Sequence, residues 1–500
     1  MASKQESESS VPSIADVRTK GQVWTPRWVA DIMASTFTGR SIRHLLDPAI
    51  GPGVLVAATK DAVRSMKSVT GFEIDPNVVL CEDSSSSTSP KSYQLRLESF
   101  IHAKVDAVFD AVIANPPYLR HHRIDAETKS KCREICQEVL GIQIDARAGI
   151  HIYFLVKSLG SLVEGGRLCF ILPADAFEGV FASKLWRAIS SRYSIDGFLK
   201  FQNENPAFPS VDTNAVIVFI SKNEPRAELT WVEVQKKPTA KQLDSLARLL
   251  NNEIGLEGVV AFAEAMKIPM GQAVDIGFTR KQDEAPFDSV PFSAVARVIR
   301  GIATGANEVF LMNSDQVAAS GIPKSSFVRT ISRVRDAIDE PITDLTLEKL
   351  DRIGRPTYLL SLDGEQEVSE QARKYFESFE DSGISSRPLV KSRKHWYVME
   401  RRVPPPLLFA YLGRRNVRFL RCDVTLQPLT GFLCVYPHPG FSEDALFKVL
   451  NHPLTIAQLA RVGKSYGNGA LKVEPGGLRQ LRIPREAFEA SGIPFPTSHD

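Results

Sequence analysis

The sequence predicts a doubly wound α/β domain followed by a second domain of mixed α+β structure. Its 500 residues exceed what one hydrophobic core usually organises, so more than one domain is expected. Between residues 41 and 222, short apolar runs typical of strands alternate with stretches typical of amphipathic helices, which is the pattern of a sheet covered by helices on both faces. Beyond residue 222 this alternation fades. We therefore predict a polar, disordered tail at 1–12, an α/β domain at 13–230 and a second domain at 231–500.

The apolar pattern also predicts individual elements of the first domain. Strands are expected at residues 44–47, 69–75, 93–98, 108–115, 167–172, 195–201 and 215–221. Helices are expected at residues 54–66, 150–162 and 182–192. The Ser-rich stretch 83–90 lies between two of these strands and has the composition of a surface loop.

Composition excludes few classes of protein. Hydrophobic residues make up 43% and charged residues 24% of the chain, as in ordinary globular proteins. The net charge of +3 is too small to indicate a polyanionic partner by itself, so charge has to be examined locally. The six cysteines lack paired CxxC spacing, and no secretory signal precedes them. No apolar run reaches the ~18 residues of a membrane-spanning helix, and we expect an intracellular protein without a membrane segment.

The first chemical motif is the turn Asp47-Pro48-Ala49-Ile50-Gly51-Pro52-Gly53, between a predicted strand and a predicted helix. Glycines there let the backbone approach a ligand closely, although similar turns serve packing alone or bind other nucleotides. The next strand ends with Glu73, where a carboxylate can accept hydrogen bonds from both hydroxyls of a ribose. No lysine follows the glycines in the manner of a phosphate-binding loop, so such a loop is disfavoured.

The most specific motif is Asn115-Pro116-Pro117-Tyr118, which follows an apolar strand. The two prolines have no amide donors, so the loop offers carbonyl oxygens as acceptors beside the side-chain oxygen of Asn115. Acceptors in this arrangement suit a planar NH2 group, and two hydrogen bonds would draw its nitrogen toward a tetrahedral, more nucleophilic state. Tyr118 supplies a face on which an aromatic ring can stack. The motif therefore favours methyl transfer to an amino group on a ring.

Together these motifs resemble the gamma class of DNA adenine-N6 methyltransferases, the TaqI-like enzymes of type II restriction-modification systems. That family has a Thr-Pro element, a glycine-rich turn, an acidic ribose ligand, a second acid near the cofactor adenine, an Asn-Pro-Pro-Tyr loop and a C-terminal recognition domain. The chain has a counterpart of each, in the same order. The resemblance implies a Rossmann-like methyltransferase domain that uses S-adenosyl-L-methionine, followed by a DNA-recognition domain.

The resemblance also implies roles for individual residues. The cofactor-binding positions would be Thr25, Pro26, Asp47, Ala49, Gly51, Gly53, Glu73, Glu98 and Asn115. The catalytic positions would be Asn115, Pro116, Pro117, Tyr118 and Phe208, the last as a second stacking face for the target base. The family usually has Asp where this chain has Glu98, and its acidic or amide position before Gly165-Gly166 falls near Gly149 and His151.

Basic residues are concentrated in two places. Arg120 and Arg123 follow Tyr118 closely and are expected to contact phosphates beside the target nucleotide. The segment 391–430 carries many more basic than acidic residues, with aromatic residues between them, and we expect it to face DNA. The predicted contacts there are Lys391, Arg393, Lys394, Arg414 and Arg415. A solvated basic surface is the alternative interpretation in both places, and no metal site is expected.

The expected activity is methylation of an adenine flipped out of double-stranded DNA in the prokaryotic cytoplasm, where it would protect host DNA from a cognate endonuclease encoded nearby. An enzyme acting on RNA or on a protein glutamine remains an alternative, because a side-chain amide presents the same NH2 geometry. A non-catalytic DNA-binding module is the alternative from another class. A fused restriction nuclease would need an Asp together with a Glu-x-Lys motif. Glu127-Thr128-Lys129 has this spacing but lies in the methyltransferase loop, so a fused nuclease is not expected.

Overall fold

The computed structural model describes residues 24–77, 92–178, 181–202, 208, 214–259, 262–278, 288–337, 339–362, 368–410, 412–413, 417–466 and 470–496. The tail and the Ser-rich loop predicted from the sequence lie outside the described residues, as do Arg414 and Arg415. The chain divides into two compact units, one of residues 1–280 with 466–469 and the other of residues 281–465 with 470–500.

The first unit is built on one nine-stranded sheet. Its strands are β1 (His44–Asp47), β2 (Ser68–Phe72), β3 (Ser92–Arg96), β4 (Phe109–Ala114), β5 (Leu162–Pro173), β6 (Ser194–Phe201), β7 (Ala215–Ser221), β8 (Glu228–Val234) and β9 (Ala263–Pro269). Its helices are α1 (Arg27–Ser35), α2 (Val54–Ala62), α3 (Ala126–Leu140), α4 (Ile150–Gly160), α5 (Asp175–Glu178), α6 (Ala182–Ser190), α7 (Ala240–Leu250) and α8 (Met270–Ile276).

The order of the strands creates a crevice at the middle of the sheet. The order is β3-β2-β1-β4-β5-β7-β6-β8-β9, and β1 pairs in parallel with β2 on one side and β4 on the other. The chain therefore runs outward from β1 through β2 and β3, then returns to the opposite side of β1 with β4. In an open α/β sheet such a reversal leaves a ligand-binding crevice outside the carboxyl ends of the two central strands.

Both faces of the sheet are covered, which confirms the doubly wound architecture. The side chains of β4 alternate between the two faces, as they must in a strand. Val112 and Ala114 belong to a core shared with α3, α4 and α6, whereas Ala111 and Ile113 belong to a core shared with α1, α2 and α7. All four of these side chains are fully buried. The loop that follows β4 is therefore held by a strand packed on both sides.

The predicted domain boundary at residue 230 is too early. Strand β8 pairs in parallel with β6, and β9 pairs antiparallel with β8, so both extend the sheet of the first unit. The apolar pattern weakens at this point because β9 is an edge strand whose side chains are mostly half-buried or exposed. The second unit accordingly begins at about residue 281.

The second unit has the mixed α+β structure that the sequence predicts. Its strands are β10 (Ser289–Pro291), β11 (Ala296–Arg300), β12 (Leu311–Met312), β13 (Phe327–Arg329), β14 (Tyr358–Leu360), β15 (Leu407–Ala410), β16 (Leu412–Gly413), β17 (Phe419–Arg421), β18 (Phe432–Pro437), β19 (Lys464–Tyr466), β20 (Ala470–Lys472) and β21 (Arg482–Pro484). Its helices are α9 (Asn307–Phe310), α10 (Ser314–Ser320), α11 (Asp344–Arg352), α12 (Glu370–Glu377), α13 (Pro388–Lys391), α14 (Glu443–Asn451), α15 (Pro453–Val462), α16 (Pro475–Arg479) and α17 (Arg485–Ala490).

The largest sheet of the second unit is antiparallel and has the order β11-β18-β15-β17. A smaller sheet, β12-β14-β13, carries a separate apolar core with the aromatic residues Phe310, Phe376 and Trp396. In the part of the chain that the structure describes, no helix has the length and apolar character needed to cross a bilayer.

Candidate active site

The glycine-rich turn follows β1 and leads into α2. Gly51 and Gly53 have φ angles of +50° and +81°, a region that L side chains rarely adopt. The amide of Ile50 donates to the carbonyl of Phe72 at 2.9 Å, which ties the turn to the end of β2. A Cβ atom on Gly71 would lie 2.6 Å from Cδ1 of Ile50. The turn and β2 therefore approach so closely that Gly71 has no room for a side chain.

The carboxylate of Glu73 joins the two strand ends. Oε2 accepts from the amide of Gly51 at 3.2 Å, and Oε1 accepts from the amides of Ile74 and Asp75 at 2.8 and 2.9 Å. Three amide donors hold both carboxylate oxygens in place. The carboxylate of Glu73 therefore lies between the glycine-rich turn and the end of β2, where it borders the crevice.

These elements line a cavity of about 520 Å³, within the usual range of about 300–1,000 Å³ for small-ligand sites. Its walls are mostly apolar and aromatic, with acidic side chains at the strand ends. The lining includes Trp24, Phe72, Phe100, Phe154, Ile50, Glu73 and Glu98. Flat apolar walls suit a nucleobase and the acids suit hydroxyl or amino groups, so the residues present fit a nucleoside.

Six of the predicted cofactor residues line this cavity: Thr25, Ala49, Gly51, Glu73, Glu98 and Asn115. The other three, Pro26, Asp47 and Gly53, do not border it, which corrects the prediction that they contact a ligand directly. Pro26 precedes α1, and its carbonyl accepts from the amide of Val29. Gly53 is the N-cap of α2. Asp47 is fully buried beneath the turn. These residues shape the cavity because they fix the backbone that borders it.

Asp47 is held in an unusual electrostatic state. Its Oδ1 accepts from the amide of Ala49 at 3.1 Å, and its Oδ2 has no hydrogen-bond partner among the described residues. Burial raises the pKa of Asp47 to about 8, and the nearby charge of Glu73 acts in the same direction. The proton stays on Asp47 at neutral pH, which keeps two adjacent carboxylates from both carrying a charge.

The wall formed after β3 is braced from behind by Lys157. Its Nζ donates to the carbonyl oxygens of Phe100, Ile101 and Ala103 at 2.6, 2.9 and 2.5 Å. Glu98, on the same segment, pairs with Arg96 at 2.7 Å. Burial lowers the pKa of Lys157 to about 8. The sequence does not reveal this role of Lys157, because a lysine on an amphipathic helix gives no sign of which carbonyls it will reach.

The sequence also gives little indication of the apolar residues that line the cavity. Trp24, Phe100, Leu119, Ile150 and Phe154 border the cavity, but an apolar residue in a sequence is read first as core. A usable signal existed for two of them, since Trp24 precedes the Thr-Pro element and Leu119 follows the Asn-Pro-Pro-Tyr motif. Phe100, Ile150 and Phe154 become visible only when the fold brings β3 and α4 to the crevice.

Asn115 follows the last residue of β4 and borders the cavity. Its Nδ2 donates to Oγ1 of Thr25 at 3.1 Å. In this arrangement the amide nitrogen faces Thr25 and Oδ1 lies on the opposite branch of the side chain. Pro117 also lines the cavity, whereas Pro116 is buried. The motif therefore lies beside the cavity with its amide oriented by Thr25.

The two aromatic residues predicted to stack on a base are found in one apolar cluster. Tyr118 is half-buried and packs against the cluster that contains Phe208, which is 6% exposed. Burial raises the pKa of Tyr118 well above its ordinary value, so the phenol stays neutral. The segments on either side of Phe208 are outside the described residues. Stacking of a base between the two rings stays a prediction.

The predicted DNA contacts separate into two groups. Arg120, Arg123, Lys391 and Lys394 are exposed, as a phosphate contact requires. Arg393 is not available in this way, which corrects the prediction for that residue. Its guanidinium donates to the carbonyls of Ala303, Thr304 and Trp396 and lies over the ring of Phe310.

Other arginines of the basic segment are also engaged within the second unit. Arg401 donates to the carbonyl of Ser361, Arg402 pairs with Glu400, and Arg421 pairs with Glu340 and Asp444. The excess of positive charge seen in the sequence is therefore partly neutralised in the fold. Because these guanidinium groups bind carbonyl and carboxylate oxygens of the same unit, the part of the segment that can meet a polyanion is smaller than its composition suggests.

Two family models match the chain. Residues 59–208 match the family model described as Eco57I restriction-modification methylase, and residues 281–494 match the one described as Type II methyltransferase M.Eco57I, C-terminal domain. The chain is 24% identical to type II methyltransferase M.AccI of Acinetobacter calcoaceticus over 92% of its own length and 84% of that protein. It is 23% identical to type II methyltransferase M.XamI of Xanthomonas campestris pv. amaranthicola, over 93% and 85%.

Solved structures show the same fold at lower identity. The structure of the type IIL restriction-modification enzyme MmeI in complex with DNA has a TM-score of 0.51 and 12% identity, and covers 92% of this chain. The DrdV–DNA complex has a TM-score of 0.50 and 11% identity, and covers 96% of this chain. The chain spans 63% and 57% of the lengths of these two proteins. At such identities the likeness concerns the fold alone.

Proposed function

Because the chain belongs to the restriction-modification methyltransferases of the Eco57I type, we propose that it methylates DNA at N6 of an adenine flipped out of the duplex. The observation that carries the proposal is the position of Asn115. Its amide follows β4, borders the cavity and is oriented by Thr25. A base that enters beside it meets acceptor oxygens rather than donors.

The cofactor of this reaction is S-adenosyl-L-methionine, whose sulfonium supplies an electrophilic methyl group. The chain would bind it in the cavity outside β1, β2 and β4. Glu73 is the candidate acceptor for the ribose hydroxyls, because it follows β2 and borders the cavity. Phe72 and Phe100 offer apolar surface to the adenine ring.

The catalytic loop would activate the amino group by accepting its hydrogens. Oδ1 of Asn115 and the carbonyl of Pro116 are the acceptors, and they favour the pyramidal geometry in which the nitrogen lone pair can attack. Tyr118 and Phe208 would hold the base by stacking, worth roughly 1–3 kcal/mol for each ring. That gain offsets the few kcal/mol that flipping costs. The transfer is direct, so no cysteine nucleophile is needed.

The second unit, from about residue 281, is the proposed target-recognition domain. It carries exposed lysines at positions 391 and 394, which suit the phosphate contacts that set the position of a protein on DNA. Base-edge contacts would supply the sequence specificity. Arg120 and Arg123, which lie on the first unit after Tyr118, would contact phosphates beside the flipped nucleotide. A cognate restriction endonuclease would be the biological counterpart of this activity.

The direct test is to express the protein in cells without other adenine methyltransferases and sequence their DNA by a method that reports modified bases. We expect N6-methyladenine within one recurring sequence. The purified protein, supplied with radiolabelled cofactor, should transfer label to duplex DNA from cells that lack the protein. Label transferred to RNA or to a protein glutamine, but not to DNA, would refute the proposal. Methylation of cytosine alone would refute its adenine part.

A further inference from the structure

His151 is a buried polar side chain that the proposed mechanism leaves unused. It is the second residue of α4 and is 6% exposed. Neither Nδ1 nor Nε2 has a hydrogen-bond partner among the described residues. Buried polar groups are nearly always hydrogen-bonded, and leaving one unsatisfied carries a free-energy cost. The two ring nitrogens therefore keep hydrogen-bonding capacity that a ligand can use.

The imidazole lies beside the catalytic tyrosine. The ring centroids of His151 and Tyr118 are 5.7 Å apart and their planes meet at 80°, an edge-to-face contact. The hydroxyl of Tyr118 is also buried without a hydrogen-bond partner in the described part of the chain. Three unsatisfied polar atoms thus belong to two touching side chains next to the Asn-Pro-Pro-Tyr loop.

The charge of this cluster limits what it can bind. Burial lowers the pKa of His151 to about 4, so the imidazole is neutral near pH 7. Tyr118 is neutral as well, and the negative charge of the exposed Asp175 reaches both rings. A phosphate would gain no countercharge here and would be repelled by Asp175. A neutral, flat group with donors and acceptors on its edge, such as a nucleobase, suits the cluster better.

The imidazole of His151 occupies space that is open because residue 149 is glycine. A Cβ atom on Gly149 would lie 2.5 Å from Cε1 and 2.9 Å from Nδ1 of His151, and 3.0 Å from the carbonyl oxygen of Leu119. The ring is therefore folded back over Gly149, toward the loop that follows Tyr118. The amide of Ile150 donates to the same Leu119 oxygen at 3.0 Å, which fixes the start of α4 against that loop.

We infer that His151 is a further residue of the target-base site, where its ring nitrogens hydrogen-bond to an edge of the base that stacks on Tyr118. The inference rests on the proposed function, since it needs a flipped base beside Tyr118. It adds a contact to the ring edge that Asn115 does not make, because Asn115 acts on the exocyclic amino group. His151 would thereby help to distinguish adenine from other bases.

The test couples one variant to single-atom changes in the substrate. His151→Phe keeps a flat ring and removes both nitrogens. Duplexes containing the methylation sequence would carry adenine, 1-deazaadenine, 3-deazaadenine or 7-deazaadenine at the target position, all of which retain the amino group. Single-turnover methylation would be measured with both proteins. We expect His151→Phe to slow methylation of adenine by about 10-fold, the effect of losing one hydrogen bond.

The decisive result is non-additivity. One deaza analogue should slow the wild-type protein about as much as His151→Phe does, and should slow the variant no further. If every analogue slows both proteins by the same factor, or if His151→Phe equals wild type on adenine, the inference is wrong. S-adenosylhomocysteine affinity measured by calorimetry should not change in the variant, because His151 is not among the residues that line the cofactor cavity.

Gly149→Ala gives a second route if His151→Phe does not fold. Its Cβ would displace the imidazole while residue 151 stays intact, and it would also press on the carbonyl oxygen of Leu119. Its overall rate is therefore not the readout; the readout is its sensitivity to the same analogue, which it should lose. Gly149→Ala with wild-type sensitivity to all three analogues would overturn the inference. Failure of the wild-type protein to methylate adenine in any duplex would instead refute the proposed function, which separates the two failures.

Discussion

Nδ2 of Asn115 lies 3.1 Å from Oγ1 of Thr25, and this contact joins the end of β4 to the segment before α1. An amide can be turned about its last bond, so a donor or an acceptor could equally face a ligand. With its nitrogen bonded to Thr25, the amide presents its oxygen on the other branch. Thr25 thus contributes to the chemistry of a residue far from it in the chain.

Replacing Thr25 by Val should therefore lower the rate of methylation more than the affinity for DNA. The change keeps the shape of the side chain and removes the acceptor, which costs about 0.5–1.5 kcal/mol, or roughly 2- to 10-fold in rate. Single-turnover methylation measures it. Thr25→Ser keeps the hydroxyl and is the matched control. Equal rates for the two variants would mean that the hydrogen bond does not orient Asn115.

Asn115→Ala should reduce methylation by about 100-fold or more, the scale seen when an oriented hydrogen-bonding group is removed from a reacting centre. The affinity for S-adenosylhomocysteine should change much less, since other residues form most of the cavity. Transfer of tritiated methyl to DNA and calorimetry with S-adenosylhomocysteine provide the two readouts. Retention of a large share of the wild-type rate would contradict the assigned role.

Glu73→Ala should weaken binding of S-adenosylhomocysteine by about 10- to 100-fold, because hydrogen bonds to a charged group contribute roughly 1.5–3 kcal/mol. It should also lower the unfolding temperature, since three backbone amides lose their acceptor. Glu98→Ala is the control at the same cavity, where the carboxylate pairs with Arg96 instead. A larger loss of affinity in Glu98→Ala would make Glu98 the principal ribose ligand.

Asp47→Asn should change how the stability of the ligand-free protein depends on pH. Burial raises the pKa of Asp47 from 3.8 to about 8, so the folded state holds a proton that the unfolded state releases. The resulting stabilisation is complete below pH 3.8 and is lost as pH rises through 8. Asparagine does not titrate, so the variant lacks this pH-dependent stabilisation, and its side-chain oxygen can still accept from the amide of Ala49. Unfolding temperatures measured from pH 5 to 9 should therefore shift in favour of Asp47→Asn as pH rises.

In the basic segment 391–430, substitutions of exposed lysines should lower the affinity for DNA, whereas substitution of Arg393 should lower the stability of the fold. Lys391→Ala and Lys394→Ala should weaken binding to all duplexes alike and reduce the slope of log affinity against log salt by about one for each lost phosphate contact. They should leave the unfolding temperature unchanged, since both side chains are exposed. Arg393→Ala should lower that temperature instead, because its guanidinium holds three carbonyls. Unchanged DNA affinity in both lysine variants would place the DNA surface elsewhere.

The sequence predicted the central strands well because each is a short apolar run that is buried on both faces. The strands at residues 44–47 and 215–221 agree with the structure to the residue. The helices α1 and α3 were not predicted. Helix α3 has a polar surface with few buried residues, of which two are Cys132 and Cys136, so its apolar face is narrow.

The site was predictable where chemistry depends on backbone that only certain residues allow. Gly51 has a positive φ, and the prolines after Asn115 lack amide donors, so the residue types alone indicate the local backbone. Contacts between residues far apart in the sequence have no such signature. Nothing in the sequence indicates that Thr25 meets Asn115 or that Arg393 folds inward onto carbonyl oxygens, because both depend on how separate elements pack.

The hydrogen bonds from Lys157 to three carbonyls affect the kinetics of ligand binding. The ammonium has three N–H donors, and each is satisfied by a carbonyl of the segment that forms one wall of the cavity. That wall is ordered before any ligand arrives, so little conformational entropy is lost when one binds. We therefore expect the ligand to associate in a single step whose rate is proportional to ligand concentration. No slower phase from a rearrangement of this cavity wall should follow.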